Sequence, residues 1–167
     1  MFYKRPLIIF SGLFLFLLDQ FLKRKVLGVW EEPRLFLNNW LGWQQFKNSG
    51  VAFGLPVPIN VAIIFSVLIL VVLIYYFLRA ARAGRLVLAL GFWLIIIGAV
   101  SNLIDRAVFG ATIDYIRILT GVFNIADGCI LIGGLLLIFG EQHWETVIDF
   151  TKVRRDGARI DEIIKRL

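Results

Sequence analysis

The sequence predicts an all-α membrane protein: four transmembrane helices, with a small β-rich extracytoplasmic subdomain between the first and second. Three observations carry this. The 167 residues are 59% hydrophobic and their mean hydropathy is +0.82, more apolar than an ordinary soluble domain. Four apolar runs have about the length that a helix rising ~1.5 Å per residue needs to cross ~30 Å of hydrocarbon. Basic residues gather beside those runs instead of forming a separate stripe.

The first span runs from about Pro6 to Leu22. Lys4 and Arg5 ahead of Leu7–Leu18 imitate a secretory signal, but no small-x-small cleavage site follows. The segment therefore reads as a retained helix. The other spans cover about 56–78, 86–104 and 122–140. Spans two and three are joined by a short basic link holding Arg79, Arg82 and Arg85. The link between spans one and two is long and contains Trp30, Trp40 and Trp43. Its apolar–polar alternation around Arg34–Leu37 and Trp43–Phe46 predicts strands over about 30–54. Asn38-Asn39 and Gly42 supply the turn, and the sheet lies at the interface, where tryptophan is favoured. No Pro-, Ser- or Gly-rich linker divides the chain, so residues 1–167 form one integral-membrane domain. The tail, about 144–167, ends in an Ile160, Ile163, Ile164, Leu167 stripe with Lys165 and Arg166 beside it. It reads as an amphipathic helix on the cytoplasmic surface.

Four spans put both termini on one side. The larger share of the 18 basic residues falls on that side, which favours cytoplasmic termini; Lys23-Arg24-Lys25 opposes this at the first helix. The net charge of +6 belongs to these flanks, and no nucleic-acid partner is expected. Cys129 is the single cysteine and His143 the single histidine. An internal disulfide is therefore impossible, and no pair has metal-ligand spacing.

On this topology the unusual polar residues converge at one membrane face. Asp19 and Lys23 close the first span, Asn48 to Gly54 precede the second, Asn102, Asp105 and Arg106 close the third, and Asn124 and Asp127 open the fourth. Asn102, Asp105 and Arg106 share a helical face, as do Asn124 and Asp127. Asp19 and Lys23, at i, i+4, read either as a surface ion pair contributing ~0.3–0.5 kcal/mol or as a structural tie. Asp114 lies in the link that follows the third span. An ionised carboxylate at mid-bilayer costs roughly 2.5–3.5 kcal/mol, which makes such acids functional suspects. Two carboxylates ~4 Å apart repel by about 4 kcal/mol at an effective dielectric near 20. A pair of this kind holds a shared proton at neutral pH, one member serving as base and the other as acid. Asp114 and Asp127 are either such a dyad or two acids separately bonded to backbone or to Arg106.

Five blocks in order then resemble one family: Asp19–Lys23, Asn48–Gly54, Gly98–Arg106, Ile113–Tyr115 and Phe123–Asp127. They are similar to lipoprotein signal peptidase (signal peptidase II), an aspartyl peptidase family of bacterial inner membranes. The resemblance implies that Asp114 and Asp127 are catalytic. It implies that Asn48, Gly50, Asn102, Arg106, Asn124 and Ala126 line or support the site, and that Asp19 and Lys23 are structural. Asp105, which the family places outside its dyad, is structural too. The implied reaction removes the signal peptide from diacylglyceryl-modified prolipoproteins on the amino side of the lipidated cysteine, near the outer membrane face. The implied partners are those precursors and membrane lipids; no metal or organic cofactor is implied, and a monomer is expected. Three departures stand out: Ser101 where the family usually has glycine, Tyr115 in place of phenylalanine, and a short segment between the two aspartates. A small proton- or ion-coupled transporter subunit is the main alternative from another class, and a non-catalytic assembly protein is a third.

Overall fold

The protein, seen in a computed structural model, is described over residues 4–29, 32–38, 40–50 and 57–140. In chain order these form α1 (Lys4–Val29), β1 (Arg34–Phe36), β2 (Leu41–Asn48), α2 (Ile59–Arg82), α3 (Leu86–Phe109), β3 (Thr112–Ile118) and β4 (Gly121–Phe123). A shorter apolar helix, α4, follows at Ile125–Gly140. The predicted tail, His143, Trp30, Asn39 and residues 51–54 of the Asn48–Gly54 block lie outside the described residues.

Helices α2 and α3 are long and apolar enough to cross a membrane. Their short link ends α2 at Ala83 and turns through Gly84 at φ 72°, with Arg79, Arg82 and Arg85 around it. Helix α1 reaches beyond the predicted span, through Lys23 to Val29. Its sides are inverted relative to a soluble helix. Gly12, Asp19, Lys23 and Val26 face inward, while Phe10, Phe14, Leu17 and Phe21 are exposed. The polar groups on the inward side are buried, and buried polar groups need partners within the protein.

The sheet is larger than the sequence predicted. Its order is β1-β2-β3-β4, all antiparallel, so the link after α3 supplies half of it and carries Asp114. The polar–apolar alternation of β3 shifts phase at Ile116, and Thr112 to Tyr115 are all buried, so the strand shows no sustained inside–outside period. Strands buried on both faces lose the period of two. Gly42 also differs from expectation. It lies inside β2 opposite Leu35, while the turn centres on Asn38 (φ 55°), with Trp40 N–H donating to Leu37 O at 3.1 Å. A bulge separates Trp43, paired with Ile116, from Phe46, paired with Asp114.

Helices α3 and α4 meet along small residues. Gly91 and Gly98 are one heptad apart on α3, and Ala126, Gly133 and Gly140 repeat at the same interval on α4. A Cβ at Gly133 would meet Gly91 O and lie 2.7 Å from Ile95 Cγ1, and one at Gly98 would strike Ala126 O and come within 2.8 Å of Ile130 Cγ1. Such stripes let backbones approach closely. Replacing Gly98 by alanine should therefore lower stability by about 1–3 kcal/mol, the usual cost of overpacking. Gly134→Ala, where nothing lies within 4 Å, is the control. Equal melting temperatures for the two variants in detergent would remove the close-approach argument.

Candidate active site

The end of α3 sets the site's first member. Gly110 adopts φ 69° at the helix C-cap and its N–H donates to Arg106 O at 3.1 Å. This left-handed turn, which glycine makes without a Cβ penalty, sends the chain into β3 with Asp114 four residues on. Phe46 pairs directly with Asp114, so Asn48 stands diagonally across from it on the same sheet face. Its Nδ2 donates to Asp114 Oδ2 at 3.2 Å. Asn48 Oδ1 in turn accepts the Gly50 N–H at 3.1 Å, an Asx turn that holds the amide in this orientation.

The second member sits in the first turn of α4. Asn124 caps that helix: its Oδ1 accepts the Asp127 N–H at 2.8 Å, and Asp127 Oδ2 accepts the Asn124 N–H at 3.2 Å. This is a reciprocal capping box with aspartate in place of glutamate, and it holds a carboxylate where the helix dipole favours negative charge. With its oxygen committed to the helix, the Asn124 side chain turns Nδ2 to Asp114 Oδ1, 2.6 Å away. Asn102 Nδ2 donates to the remaining Asp127 oxygen at 3.0 Å. One asparagine thus bonds both aspartates, and each of the four carboxylate oxygens accepts one N–H.

Asp114 is 1% exposed. Burial, reinforced by the neighbouring Asp127 charge, pushes its pKa up to about 7 from an ordinary 3.8, against the hydrogen bonds from Asn48 and Asn124 and the positive charge of Lys23. At neutral pH this carboxyl is poised between its two protonation states, as an acid–base catalyst must be.

Beside the pair lies a buried ionic cluster. Lys23 Nζ is 2.7 Å from both Asp19 Oδ2 and Asp105 Oδ2, all three side chains at most 1% exposed. Of the two readings of Asp19 and Lys23, the geometry matches the structural tie. Asp19 Oδ1 accepts the Ile125 and Ala126 N–H groups at 3.0 and 3.4 Å, so a residue of α1 caps α4. Tyr115 OH donates to the same oxygen at 2.9 Å, and Ser101 Oγ to Asp19 Oδ2 at 2.6 Å. Burial and the Asp19 charge push the Tyr115 hydroxyl pKa upward, keeping it a donor. Asp105 Oδ2 also accepts the Ile113 N–H at 3.2 Å, tying α3 to the residue before Asp114.

A family model described as signal peptidase (SPase) II matches residues 12–142. This chain belongs to the signal peptidase II family. A lipoprotein signal peptidase of Mesorhizobium japonicum is 34% identical over 131 residues, 74% of this chain and 78% of the relative. One from Syntrophus aciditrophicus is 36% identical over 150 residues, 81% and 92% of the two chains. A solved structure described as a bacterial membrane enzyme, determined by the in meso method at 2.3 Å resolution, superposes with a TM-score of 0.76 at 25% identity. That match covers 83% of this chain and 89% of the other. Membership makes the protein a protease of a bacterial membrane family.

Nearly every residue singled out in the sequence meets in this one region. Asp114, Asp127, Asn48, Asn102 and Asn124 form the hydrogen-bonded centre; Gly50 and Ala126 act through backbone N–H groups; Asp19, Lys23 and Asp105 form the cluster behind it. Arg106 is half-buried, its Nε without a hydrogen-bond partner, and none of the hydrogen bonds described here joins it to either aspartate. Cys129 is free and buried. Among the described residues no three His, Cys, Asp or Glu side chains are arranged to hold a metal. A cleft of about 470 Å³ at the far end, between Tyr76, Arg79, Arg85, Phe92 and Leu137, is lined by no carboxylate among the described residues and lies away from this chemistry. Gln20 and the two departures, Ser101 and Tyr115, had no role assigned from sequence. Gln20 Nε2 donates to Ser101 Oγ at 2.9 Å and to Asp105 Oδ1 at 3.1 Å. Ser101 and Asp105 are i, i+4 on α3, a spacing that would have placed the serine on the polar face.

Proposed function

We propose that this protein is an intramembrane aspartyl endopeptidase. It removes the signal peptide from diacylglyceryl-modified prolipoproteins by cleaving on the amino side of the lipidated cysteine. The observation that carries this reading is the shared asparagine: Asn124 bonds Asp114 through Nδ2 and caps the helix that bears Asp127. With one proton between the carboxylates, the ionised member takes a proton from water as the water oxygen attacks the scissile carbonyl carbon. The protonated member hydrogen-bonds the carbonyl oxygen. Collapse of the tetrahedral intermediate breaks the C–N bond, and the amine leaves with a proton from the dyad. Amide donors on every carboxylate oxygen hold both acids in place through these steps.

The same reading has α1, α2, α3 and α4 each crossing the bacterial inner membrane, with both termini and the Arg79–Arg85 link in the cytoplasm. The exposed apolar stripe of α1, Phe10 to Phe21, supports its contact with lipid. The aspartates then lie near the outer face, below a sheet whose Phe36, Leu37, Trp40 and Phe46 are exposed. Side chains of this kind suit the headgroup boundary where a lipidated cysteine sits. A monomer suffices, because one chain supplies every group named above.

The test is cleavage of a purified prolipoprotein by the purified protein, with the precursor cysteine either diacylglyceryl-modified or bare. Cleavage of the lipidated form should be faster by at least about tenfold, since losing a buried acyl contact of even two CH₂ groups at ~0.8 kcal/mol each forfeits that much. Equal rates would remove lipid recognition. Cleavage of neither form, together with proton-coupled flux in proteoliposomes, would favour the transporter reading.

A further inference from the structure

Lys23 Nζ reaches past its two carboxylate partners. It lies 2.9 Å from Asn102 Oδ1 and 3.2 Å from Ser101 Oγ. An ammonium group only donates, so the Asn102 atom facing it has to be the oxygen. The amide is planar, and fixing its oxygen on Lys23 leaves Nδ2 toward Asp127 Oδ1, 3.0 Å away. Asn124 Nδ2, 3.2 Å from the same Asn102 oxygen, demands the same orientation.

We infer that Lys23 is a positioning residue for the dyad, acting through Asn102: with Asn124 it fixes which end of the amide meets Asp127, and it brings a buried positive charge to the site. The inference rests on the aspartyl-peptidase reading and deepens it. The charged and titratable groups around Lys23 are Asp19 from α1, Asp105 from α3, Asp114 and Tyr115 from β3, and Asp127 from α4. Without Lys23 the Asn102 oxygen keeps the Asn124 Nδ2 donor but loses its closer, charged one, and a flipped amide would set a carbonyl oxygen against a carboxylate. The Lys23 charge also opposes the upward shift of Asp114, so its loss should move the alkaline limb of the activity profile to higher pH.

The experiment compares Lys23→Met/Asp105→Asn with Asp105→Asn alone, so that the reference retains the Lys23–Asn102 bond and the Lys23–Asp19 pair, and the double variant leaves Asp19 as the one carboxylate of the cluster. Relative to the reference, kcat should fall by about tenfold or more with KM within about twofold, the signature of a lost transition-state arrangement. The alkaline limb should rise by roughly half a pH unit or more. A folded double variant matching its reference in kcat and in pH profile overturns the inference. Should the double variant not fold, the ¹⁵N-labelled side-chain amide of Asn102 in the unsubstituted protein decides. Its resonances should titrate with the midpoint of the activity limb, and pH-independent resonances overturn the inference. The two levels separate cleanly. Full cleavage by Asp114→Asn sinks the dyad itself, whereas inactive Asp variants beside a Lys23 variant equal to its reference sink only the role of Lys23.

Discussion

Asp114→Asn and Asp127→Asn should each lower cleavage by roughly a thousandfold or more while leaving the protein folded. General acid–base catalysis by one positioned group contributes about 10²–10⁴-fold, and in a dyad each carboxyl serves as both acid and base partner. Asparagine keeps the size and one acceptor oxygen but neither gives nor takes the proton. The stability of the variants is as informative as their rates. Asp114 is a buried acid beside another acid, so neutralising it relieves desolvation and repulsion together. Asparagine leaves one of the two amide donors, Asn48 or Asn124, facing an N–H, which offsets that relief, so the melting temperature of Asp114→Asn should stay close to that of the parent. A group held for structure alone would behave oppositely, costing stability and sparing activity. Full activity in either variant would end the catalytic assignment.

The same geometry sets the pH dependence. Asp114 holds its proton to about pH 7 in the folded protein, against 3.8 for an ordinary aspartate. Activity that needs one proton on the pair should decline as pH rises through about 7, and a kcat/KM profile across pH 4 to 9 measures it. Between those two pKa values the folded state binds more protons than the unfolded state, so the contribution of Asp114 to stability is full below about 3.8 and is lost as pH rises through about 7. A profile flat through neutrality would mean that the burial and repulsion at Asp114 do not govern the reaction.

Asp19→Ala should destabilise the protein by about 3–5 kcal/mol, the cost of breaking a buried ion pair by removing one partner. An exposed i, i+4 pair at the same positions would cost only ~0.3–0.5 kcal/mol. The difference arises from how much one carboxylate does. Its removal takes a counter-ion from Lys23, acceptors from the Tyr115 and Ser101 hydroxyls, and the cap from the Ile125 and Ala126 N–H groups. Buried donors left without acceptors cost about 1–3 kcal/mol each. Thermal unfolding in detergent reads the effect directly, and a shift no larger than a surface pair produces would reject the trans-cap role. Because Asp127 is in the first turn of the capped helix, activity should fall along with stability.

Much of the site is legible in the sequence. An acid in an apolar chain has to be paired, coordinated or functional, so Asp114 and Asp127 stood out by cost, while Asp19 and Asp105 entered through their convergence on the same membrane face. Helical spacing grouped Asn102 with Asp105, and Asn124 with Asp127, because a 3.6-residue period needs nothing beyond the local chain. The resemblance selected Asp114 over Asp105 as Asp127's partner, a choice that spacing by itself left open.

Other features depended on contacts between segments distant in sequence. Strand β3 shifts its polar–apolar phase at Ile116 and is buried over Thr112–Tyr115, and pairing with β2 and β4 is what reveals it. Whether Asp19 and Lys23 sat on the surface or in the core could not follow from an i, i+4 spacing that both readings share. Their burial is decided by α3, which brings Asp105, Ser101 and Asn102 to the same point. The orientation of each asparagine amide is likewise a tertiary outcome: the Asn102 oxygen meets donors from Lys23 and Asn124 on other segments, and Asn124 is turned by the helix it caps. Composition and period were enough to determine that this chain is helical, apolar and acid-bearing at one end, because those properties follow from single residues and their neighbours. Which acid meets which donor was decided only by the packed structure, because a hydrogen bond depends on both partners' positions and the sequence specifies them one segment at a time.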